Sequence, residues 1–538
     1  MSRTLPIVAF LFALSAGGIA AQAAVETLVP RGQLRLQFDP SFTVWNSRFG
    51  QPNSTNGVVL VESVRESLGS DLTDPIGTSL FPAITRLEDE IRSLTDQEGY
   101  SGVLGEARGL ITYDITRIDV GGQVGVFDWL TVGVVAPFVK ARTALDVTFS
   151  ADPATADLGL NPTISEGSSV SDFLTALLGA QESAQGRADF VCAADPGAAC
   201  TGAQSLADRV GSFHSSSQTA YSASGFFPMH GSSIATSLSD ALTSLDQEMI
   251  DAGLAGIGTE MAFASEYLTG ALLLALPSQG AAGIQGQPLS SIDGIYKLGD
   301  VEVSALARIA ESAPVDPDDL APRYSYEILG GVLGRLGTGK VDAHDVFVDL
   351  GTGDGQVDIE ARVIGFLGIG PRLGIRASVQ YGIQRPTSLL RRVAIHEVVM
   401  PPASTLRAVR WSPGAYLGIG LEPVWRLSPE LTVFGSYRLY SKGDDSYEIF
   451  GEVPAGATQV DSADLERETS MTLHQLGLGL RYSTVEPWKA GVASRPMELH
   501  AGMSHSIAGS GGRTPVSTRI EFGIRLFRQI WGGATPEG

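Results

Sequence analysis

Two places in the C-terminal part of the chain bring a serine close to a histidine, as nucleophilic catalysis requires. Ser504 lies near His500 and His505, and Ser470 lies near His474. A hydrolase needs a histidine that takes the serine proton and a third group that orients the histidine. No Gly-x-Ser-x-Gly turn surrounds either serine, and His500 and His505 fall on opposite faces of a predicted strand. The pattern favours ordinary polar strand residues, so we expect no enzyme, and a hydrolase is the weakest alternative.

A segment rich in glycine and aspartate, 345–360, has the residue types of a cation-binding loop. Counted from Asp349, Glu360 falls at the twelfth position of an EF-hand loop. The third and fifth positions are glycines, however, and the sixth, where the sharp turn needs glycine, is Asp354. The segment also lacks the Gly-Lys-Ser/Thr of a phosphate-binding loop. We therefore expect no metal and no cofactor.

The start of the chain and its two cysteines indicate an exported protein. Residues 1–24 have the form of a signal peptide, with Arg3 before an apolar run and small residues at a cleavage site. Cys192 and Cys200 could form a local disulfide in an oxidising compartment, and a metal pair is less favoured because no histidine lies close by. A formal charge of −22 argues against nucleic-acid binding, which needs a basic patch.

The most numerous candidates for chemistry are charged side chains that alternate with apolar ones. In the segment 519–526, isoleucine, phenylalanine and leucine alternate strictly with arginine, glutamate and glycine. This period of two is typical of a strand with one apolar face and one charged face. The charged side chains expected to face a lumen are Arg35, Asp39, Asp114, Asp119, Glu302, Arg308, Glu327, Arg335, Asp358, Glu360, Arg362, Arg376, Glu422, Arg438, Arg481, Glu498, Glu521 and Arg525. Such groups could pair across an interior as a structural network or line a wet path.

The pattern predicts twelve strands. They lie near 33–45, 107–126, 130–149, 298–310, 324–336, 355–367, 372–385, 412–426, 430–447, 469–484, 496–506 and 515–530. The tightest connections all follow even-numbered strands, and the longest ones all follow odd-numbered strands. Bacterial barrels show this parity, with short periplasmic turns, long outer loops and an even number of strands. The sequence therefore predicts an all-β membrane protein, an up-and-down antiparallel transmembrane β-barrel of about twelve strands in the cell outer membrane, surrounded by its lipid.

Two details refine this prediction. The apolar residues of the second strand change phase near 116–117, where we expect a β-bulge to restore the faces. Tryptophans near strand ends are expected to form girdles at the membrane interfaces, although buried aromatic residues are the alternative. They are Trp45, Trp129, Trp411, Trp425, Trp488 and Trp531.

Residues 150–297 have a different pattern, with apolar residues spaced near 3.6. The stretches 168–186, 203–222 and 232–253 are predicted to be helical, as are shorter ones at 57–68 and 82–97. We expect a helical extracellular insert that acts as a lid or a plug. The chain then divides into a signal peptide (1–24), the first strands with a partly helical outer loop at 46–106 (25–149), the insert (150–297) and the remaining strands (298–538).

Four segments resemble a known group of proteins. They read GVFDWLTVGVVAPFV (125–139), KLGDVEVSALARI (297–309), LGTGKVDAHD (336–345) and LGTGDGQVDIEARVI (350–364). Together they resemble the outer-membrane transporter-like proteins of the phenol meta-pathway type, and are more distantly similar to the long-chain fatty-acid transporter class. The helical insert departs from this group. The resemblance implies a channel for small organic solutes, hydrophobic ones among them, and carries over no catalytic residue.

The main hypothesis is therefore an outer-membrane channel that passes small solutes by diffusion and is gated by its loops. The alternative is a non-transporting surface protein in which the barrel is an anchor and the insert binds a partner.

Overall fold

The computed structural model describes residues 27–52, 59–63, 76–78, 80–81, 83–279, 284–312, 324–394, 401–451, 460–511 and 514–531. The predicted signal peptide lies outside the described residues. Twelve strands form the barrel: β1 (Gln33–Trp45), β2 (Glu106–Phe127), β3 (Leu130–Ser150), β4 (Val301–Glu311), β5 (Tyr324–Leu336), β6 (Asp358–Ile369), β7 (Leu373–Gln384), β8 (Tyr416–Arg426), β9 (Leu431–Lys442), β10 (Met471–Ser483), β11 (Met497–Ser510) and β12 (Thr518–Gln529).

The barrel is closed, and every neighbouring pair of its strands is antiparallel. Consecutive strands pair along the chain, and β12 returns to pair with β1, so that no hydrogen-bonding edge of the circuit is left open. Closure matters because backbone groups in hydrocarbon have no water to bond to. The predicted fold class and strand number are confirmed. We call the end that holds the start of β1, the end of β12 and the short turns the periplasmic end, as in other bacterial barrels.

The outer wall of the barrel carries an apolar belt. Along each strand one face bears leucine, isoleucine, valine and phenylalanine that point outward, while the other face points into the interior. On β1, for example, Leu36, Phe38 and Phe42 point outward and Arg35 points inward. An oily outer belt on a closed, even-stranded barrel places the chain in the outer membrane.

A charge on this belt is expected to weaken the barrel. Leu478 lies midway along β10 and is 70% exposed on the outer wall. The substitution Leu478→Arg should cost about 2–4 kcal/mol of unfolding free energy in lipid vesicles, since arginine is unfavourable near the bilayer midplane. Leu178→Arg is the matched control, because Leu178 is 44% exposed on a helix of the insert. Urea titrations that give equal costs for the two variants would contradict membrane burial of the belt.

The β2–β3 hairpin continues above the belt. The register of β2 against β3 runs unbroken from Glu106 to Gly125, so the β-bulge predicted at 116–117 is wrong. Odd-numbered residues of β2 face inward along the whole strand. Near Ile111 and Ile115 they are apolar because helices pack on them, and lower down they are charged because they line the lumen. On β2, apolar residues therefore face outward where the strand contacts lipid, and inward where it contacts the helices.

The helices pack on the inward face of the β2–β3 hairpin at the outer end of the barrel. They are α1 (Ala83–Thr95), α2 (Gly167–Ala194), α3 (Ala198–Ala223), α4 (Ser233–Asp251) and α5 (Gly270–Gln279), with a short turn at Pro162–Ser165. Phe173, Val210 and Leu238 from the three longest helices share one apolar cluster with Tyr113 and Val139 of the β2–β3 hairpin. A disulfide between Cys192 and Cys200 joins α2 to α3. Among the described residues, no helix is long and apolar enough to cross a membrane.

Two of the sequence predictions for the outer loops are wrong. Within the predicted helix 57–68, the described residues Val59–Ser63 form a strand that pairs with Ser47–Pro52. The predicted ninth strand, 430–447, ends at Lys442, and the chain then enters a separate outer sheet. That sheet consists of Thr387–Arg392, Leu406–Ser412 and Ser446–Phe450. The other short elements are strands at Leu158–Leu160, Phe226–Pro228, Ile292–Asp293, Lys297–Leu298 and Thr514–Pro515, helices at Ser462–Glu466 and Val485–Lys489, and a 3-10 turn at Ala403–Thr405.

The tryptophans divide into two groups. Those exposed at the periplasmic end, as a girdle requires, are Trp129, Trp425 and Trp531. Trp45 is buried against Tyr113 with ring centroids 5.2 Å apart. Trp411 is buried in the outer sheet, where its Nε1 donates to Asp445 at 3.0 Å. The girdle prediction is therefore wrong for these two, which fill protein cores; Trp488 lies on the short helix Val485–Lys489.

Candidate functional site

The interior of the barrel is lined by charged side chains that form a continuous chain of ion pairs in its outer half. Arg117 on β2 contacts Asp119 through Nε at 2.7 Å and Glu302 on β4 through Nη2 at 3.0 Å. Arg335 on β5 lies 3.5 Å from the same Glu302 oxygen. These contacts cross four neighbouring strands because alternate residues on each strand point inward. All four groups are largely buried, so each needs its partner to offset the loss of water.

The chain of ion pairs continues to Glu360 on β6, whose side chain is fully buried. Its carboxylate lies 3.4 Å from Nη2 of Arg335 and 2.7 Å from Nη2 of Arg362. The hydroxyl of Tyr416 on β8 donates to Glu360 at 2.8 Å and accepts from Arg335 at 2.7 Å. Asp358 lies 3.6 Å from Arg335. One carboxylate thus holds two guanidinium groups and a phenol, and ties three strands together across the interior.

A second group lies nearer the periplasmic end, on β7 to β10. Arg376 and Arg481 both contact Oε1 of Glu422, at 3.3 Å and 3.4 Å. The guanidinium of Arg376 stacks on Phe366 at 5.9 Å from the ring centroid, and that of Arg481 on Phe434 at 5.2 Å. These cation–π contacts fix the direction in which each guanidinium points.

The remaining inward charges form smaller pairs. Arg525 lies 3.5 Å from Glu498, and Arg308 lies 3.1 Å from Glu327. Glu521 contacts Arg519 at 3.2 Å. Inward-facing positions hold nearly all the side chains predicted to line the lumen: Arg35, Asp39, Asp119, Glu302, Arg308, Glu327, Arg335, Asp358, Glu360, Arg362, Arg376, Glu422, Arg438, Arg481, Glu498, Glu521 and Arg525.

The exception is Asp114, which the sequence predicts on the lumen side. It lies on the outer face of β2, above the belt, where its carboxylate pairs with Arg142 of β3. The list of lumen candidates left out two inward arginines, Arg117 and Arg519, although the alternation places Arg519 on the charged face of the last strand. Arg117 was hidden by the expected bulge, which placed the phase change at this residue.

The histidines considered for catalysis have other neighbours. Nδ1 of His474 lies 2.8 Å from the hydroxyl of Tyr437, and Nδ1 of His505 lies 2.9 Å from Oγ1 of Thr518. His500 faces the lumen, with its Nε2 4.0 Å from Asp39. In the described part of the chain, no group of three or more histidine, cysteine, aspartate or glutamate residues is arranged to hold a metal ion.

The aspartate-rich segment that resembled a calcium loop folds over the outer rim of the barrel. Oδ1 of Asp300 accepts the backbone N–H of Gly339 at 2.8 Å, and Asp354 accepts that of Gln356 at 3.0 Å. Burial raises the pKa of Asp300 to about 6 and also raises the pKa of Asp354. These carboxyls therefore hold a proton more readily than exposed aspartates, and their oxygens are engaged by the loop itself.

The chain segment that precedes β1 lies inside the periplasmic end of the lumen. The backbone N–H of Val29 donates to Oγ1 of Thr131 at 2.8 Å, and Val29 is fully buried. Arg35 donates to the carbonyl of Thr27 at 3.1 Å. Leu28 packs on an apolar patch that we call the leucine patch, formed by Leu306, Leu329 and Ile364. A cavity of about 10 Å³, room for about one water molecule, adjoins this patch.

Glycine is required where this segment passes β2. A Cβ at Gly125 would lie 2.2 Å from the carbonyl oxygen of Pro30 and 2.3 Å from that of Val29. Residues 27–32, which we call the N-terminal segment, thus lie against the inner wall at close range. They narrow the periplasmic end of the lumen.

Loops at the outer end of the barrel are joined to one another. The guanidinium of Arg392, in the outer sheet, donates to the carbonyls of Ile284, Gln285 and Pro401, the last two at 3.0 Å and 2.7 Å. It also stacks on Phe347 at 5.2 Å. One buried arginine therefore joins the end of the insert to two other outer loops.

No protein-family model and no curated protein match the sequence. Among solved structures, the chain is similar to the COG4313 outer membrane channel from Pseudomonas putida F1, at 7% identity and a TM-score of 0.41, covering 95% of this chain and 100% of that one. It is also similar to the TodX monoaromatic hydrocarbon channel deltaS2 mutant, at 9% identity and a TM-score of 0.25, covering 93% and 90%. A FadL homologue of Pseudomonas aeruginosa has 7% identity and a TM-score of 0.24, with the same coverage. Because these identities and TM-scores are low, the fold assignment rests on the strand pairing described above.

Proposed function

We propose that this protein is an outer-membrane channel through which small organic solutes diffuse passively. The helical insert and the N-terminal segment are its outer and inner gates. The observation that carries this proposal is the ionic lining of a closed barrel whose two ends are covered by separately packed segments.

The physical reason lies in the cost of burying charge. A small barrel that serves only as an anchor can be filled with apolar side chains, which is often more stable than buried ion pairs of similar volume. Ionisable groups at membrane depth are expensive and typically mark a path for ions or polar solutes. Here such groups extend from Asp358 near the outer rim to Glu498 near the periplasmic end.

Planar-bilayer recordings of the purified full chain test the proposal. We expect infrequent, brief openings, because both covering segments are packed against other parts of the chain. A silent protein would overturn the proposal, provided that the variant lacking both gates, described in the Discussion, is silent too.

A second function is favoured by the insert itself. The α2–α3 hairpin is closed by the disulfide, and Phe190 on α2 is 70% exposed at its far end. This feature supports the alternative in which the barrel is an anchor and the insert meets a partner. Silence of the gate-free variant would leave this alternative as the better account.

A further inference from the structure

The two walls of the lumen differ in their balance of charge. On β2 to β6, three arginines face four carboxylates within ion-pair distance. These are Arg117, Arg335 and Arg362 with Asp119, Glu302, Asp358 and Glu360. On β7 to β10, Arg376, Arg438 and Arg481 face inward, and Glu422 is the inward carboxylate between them. The second wall therefore carries surplus positive charge.

The surplus of positive charge is concentrated around Glu422. Arg376 and Arg481 both reach the same oxygen, Oε1 of Glu422. Arg438 on β9 forms no ion pair with any residue that the structure describes. A buried guanidinium is costly unless an anion compensates it. Glu498 on β11 and Glu327 on β5 also act on Arg376, but they are paired with Arg525 and Arg308. The wall therefore keeps a surplus of positive charge that a bound anion would offset.

Part of the lumen wall on β4 to β6 is apolar, between the charged side chains of the same strands. The leucine patch belongs to β4, β5 and β6, and β10, which carries Arg481, lies six strands around the barrel from β4. Leu28 of the N-terminal segment covers the patch in the closed arrangement. When that segment moves, the space between the walls is bounded by Arg481 on one side and the leucine patch on the other, and Arg376 on β7 lies next to the patch strand β6. Phe366 and Phe434 lie beside the guanidinium groups.

We propose that this space is a binding site for small aromatic carboxylates, a step that rests on the proposed channel function. The carboxylate of the solute contacts Arg376 and Arg481, since arginine forms strong, planar contacts with carboxylates. The ring of the solute packs against the leucine patch. Neutral aromatic solutes fit the patch but gain nothing from the arginines, and aromatic cations are repelled by them.

The acidic insert does not oppose this selection. It carries many more acidic than basic side chains, but these lie above the barrel. Exposed charges are screened over about 8 Å at physiological ionic strength, whereas buried groups at a constriction are screened much less.

Reversal potentials of the full chain in planar bilayers test the site. Benzoate, benzylammonium and chloride serve as probes. Gradients of potassium benzoate, benzylammonium chloride and potassium chloride give the permeability of each probe relative to that of its inorganic counter-ion, potassium or chloride. Benzoate and benzylammonium carry the same ring with opposite charge, and chloride carries the charge without the ring. We expect the relative permeability of benzoate to exceed that of benzylammonium and that of chloride.

Two substitutions should move the benzoate permeability in opposite directions. Arg481→Gln should lower it about tenfold, as expected for the loss of one charge-assisted contact. Glu422→Gln should raise it, because it removes the competing internal carboxylate. Arg209→Gln, an exposed change of equal charge on α3, is the matched control and should leave it unchanged.

The outcomes separate this inference from the proposed function. If no ion passes even without the gates, the channel itself is overturned. If current flows but benzoate does not exceed benzylammonium and chloride, or if Arg481→Gln and Arg209→Gln behave alike, the channel stands and the carboxylate site is overturned.

Discussion

The substitution Glu360→Ala is expected to destabilise the folded barrel by about 3–5 kcal/mol, the usual cost of removing one partner from a buried ion pair. Glu360 is 0% exposed and holds Arg335, Arg362 and Tyr416 at 3.4 Å or less. Alanine removes the buried carboxylate from Arg362 and leaves Arg335 to Glu302 and Asp358, in an interior that little water can reach. Urea unfolding in lipid vesicles, followed by tryptophan fluorescence, measures the loss.

Two further variants sharpen this test. Glu448→Ala removes an exposed carboxylate that lies 4.0 Å from Arg410 in the outer sheet, and should cost less than about 1 kcal/mol. Glu360→Gln keeps the acceptor oxygen for Tyr416 and loses only the charge, so its cost should be intermediate. A cost for Glu360→Ala as small as that for Glu448→Ala would show that water reaches the site and that the network is not buried.

The second large effect concerns the two proposed gates, the helical insert and the N-terminal segment, which we propose act in series along the lumen. Residues 151–290 can be replaced by a short glycine–serine linker, since Ser291 Oγ accepts the backbone N–H of Leu145 and holds the two ends close. The N-terminal segment can be shortened to begin at Arg31. Because resistances in series add, either deletion alone should leave a low conductance, and both together should give a large, steady one.

Single-channel recordings in planar bilayers compare the full chain with the three variants. Heat-dependent mobility in detergent gels reports whether each variant has kept a folded barrel. A single deletion that alone gives the full conductance would show that the other segment is not a gate. Equal, low conductance in a folded double variant would show that the lining side chains close the lumen by themselves.

Local sequence patterns are enough to predict most of the barrel. On β12 the alternation of Ile520, Phe522 and Ile524 with polar residues determines which face meets lipid, because successive side chains on a strand point to opposite sides. The parity of short and long connections determines the up-and-down order. Neither inference needs knowledge of distant residues, and both agree with the structure.

The positions that the sequence misplaced depend on distant neighbours. Ile111 and Ile115 point inward because insert helices cover the hairpin above the belt, and the same contact places Asp114 outside. Trp45 resembles a girdle residue in sequence but is buried against Tyr113, which is 68 positions away in the chain.

Strand period and loop length are local properties, so the residue pattern is enough to predict a twelve-stranded barrel with a charged interior. Which charges meet, that Glu422 contacts two arginines, and that Leu28 packs inside the lumen depend on the folded chain. Barrel closure and strand stagger bring together residues that are far apart in the chain. The alternation within one strand does not determine how that strand aligns with the others.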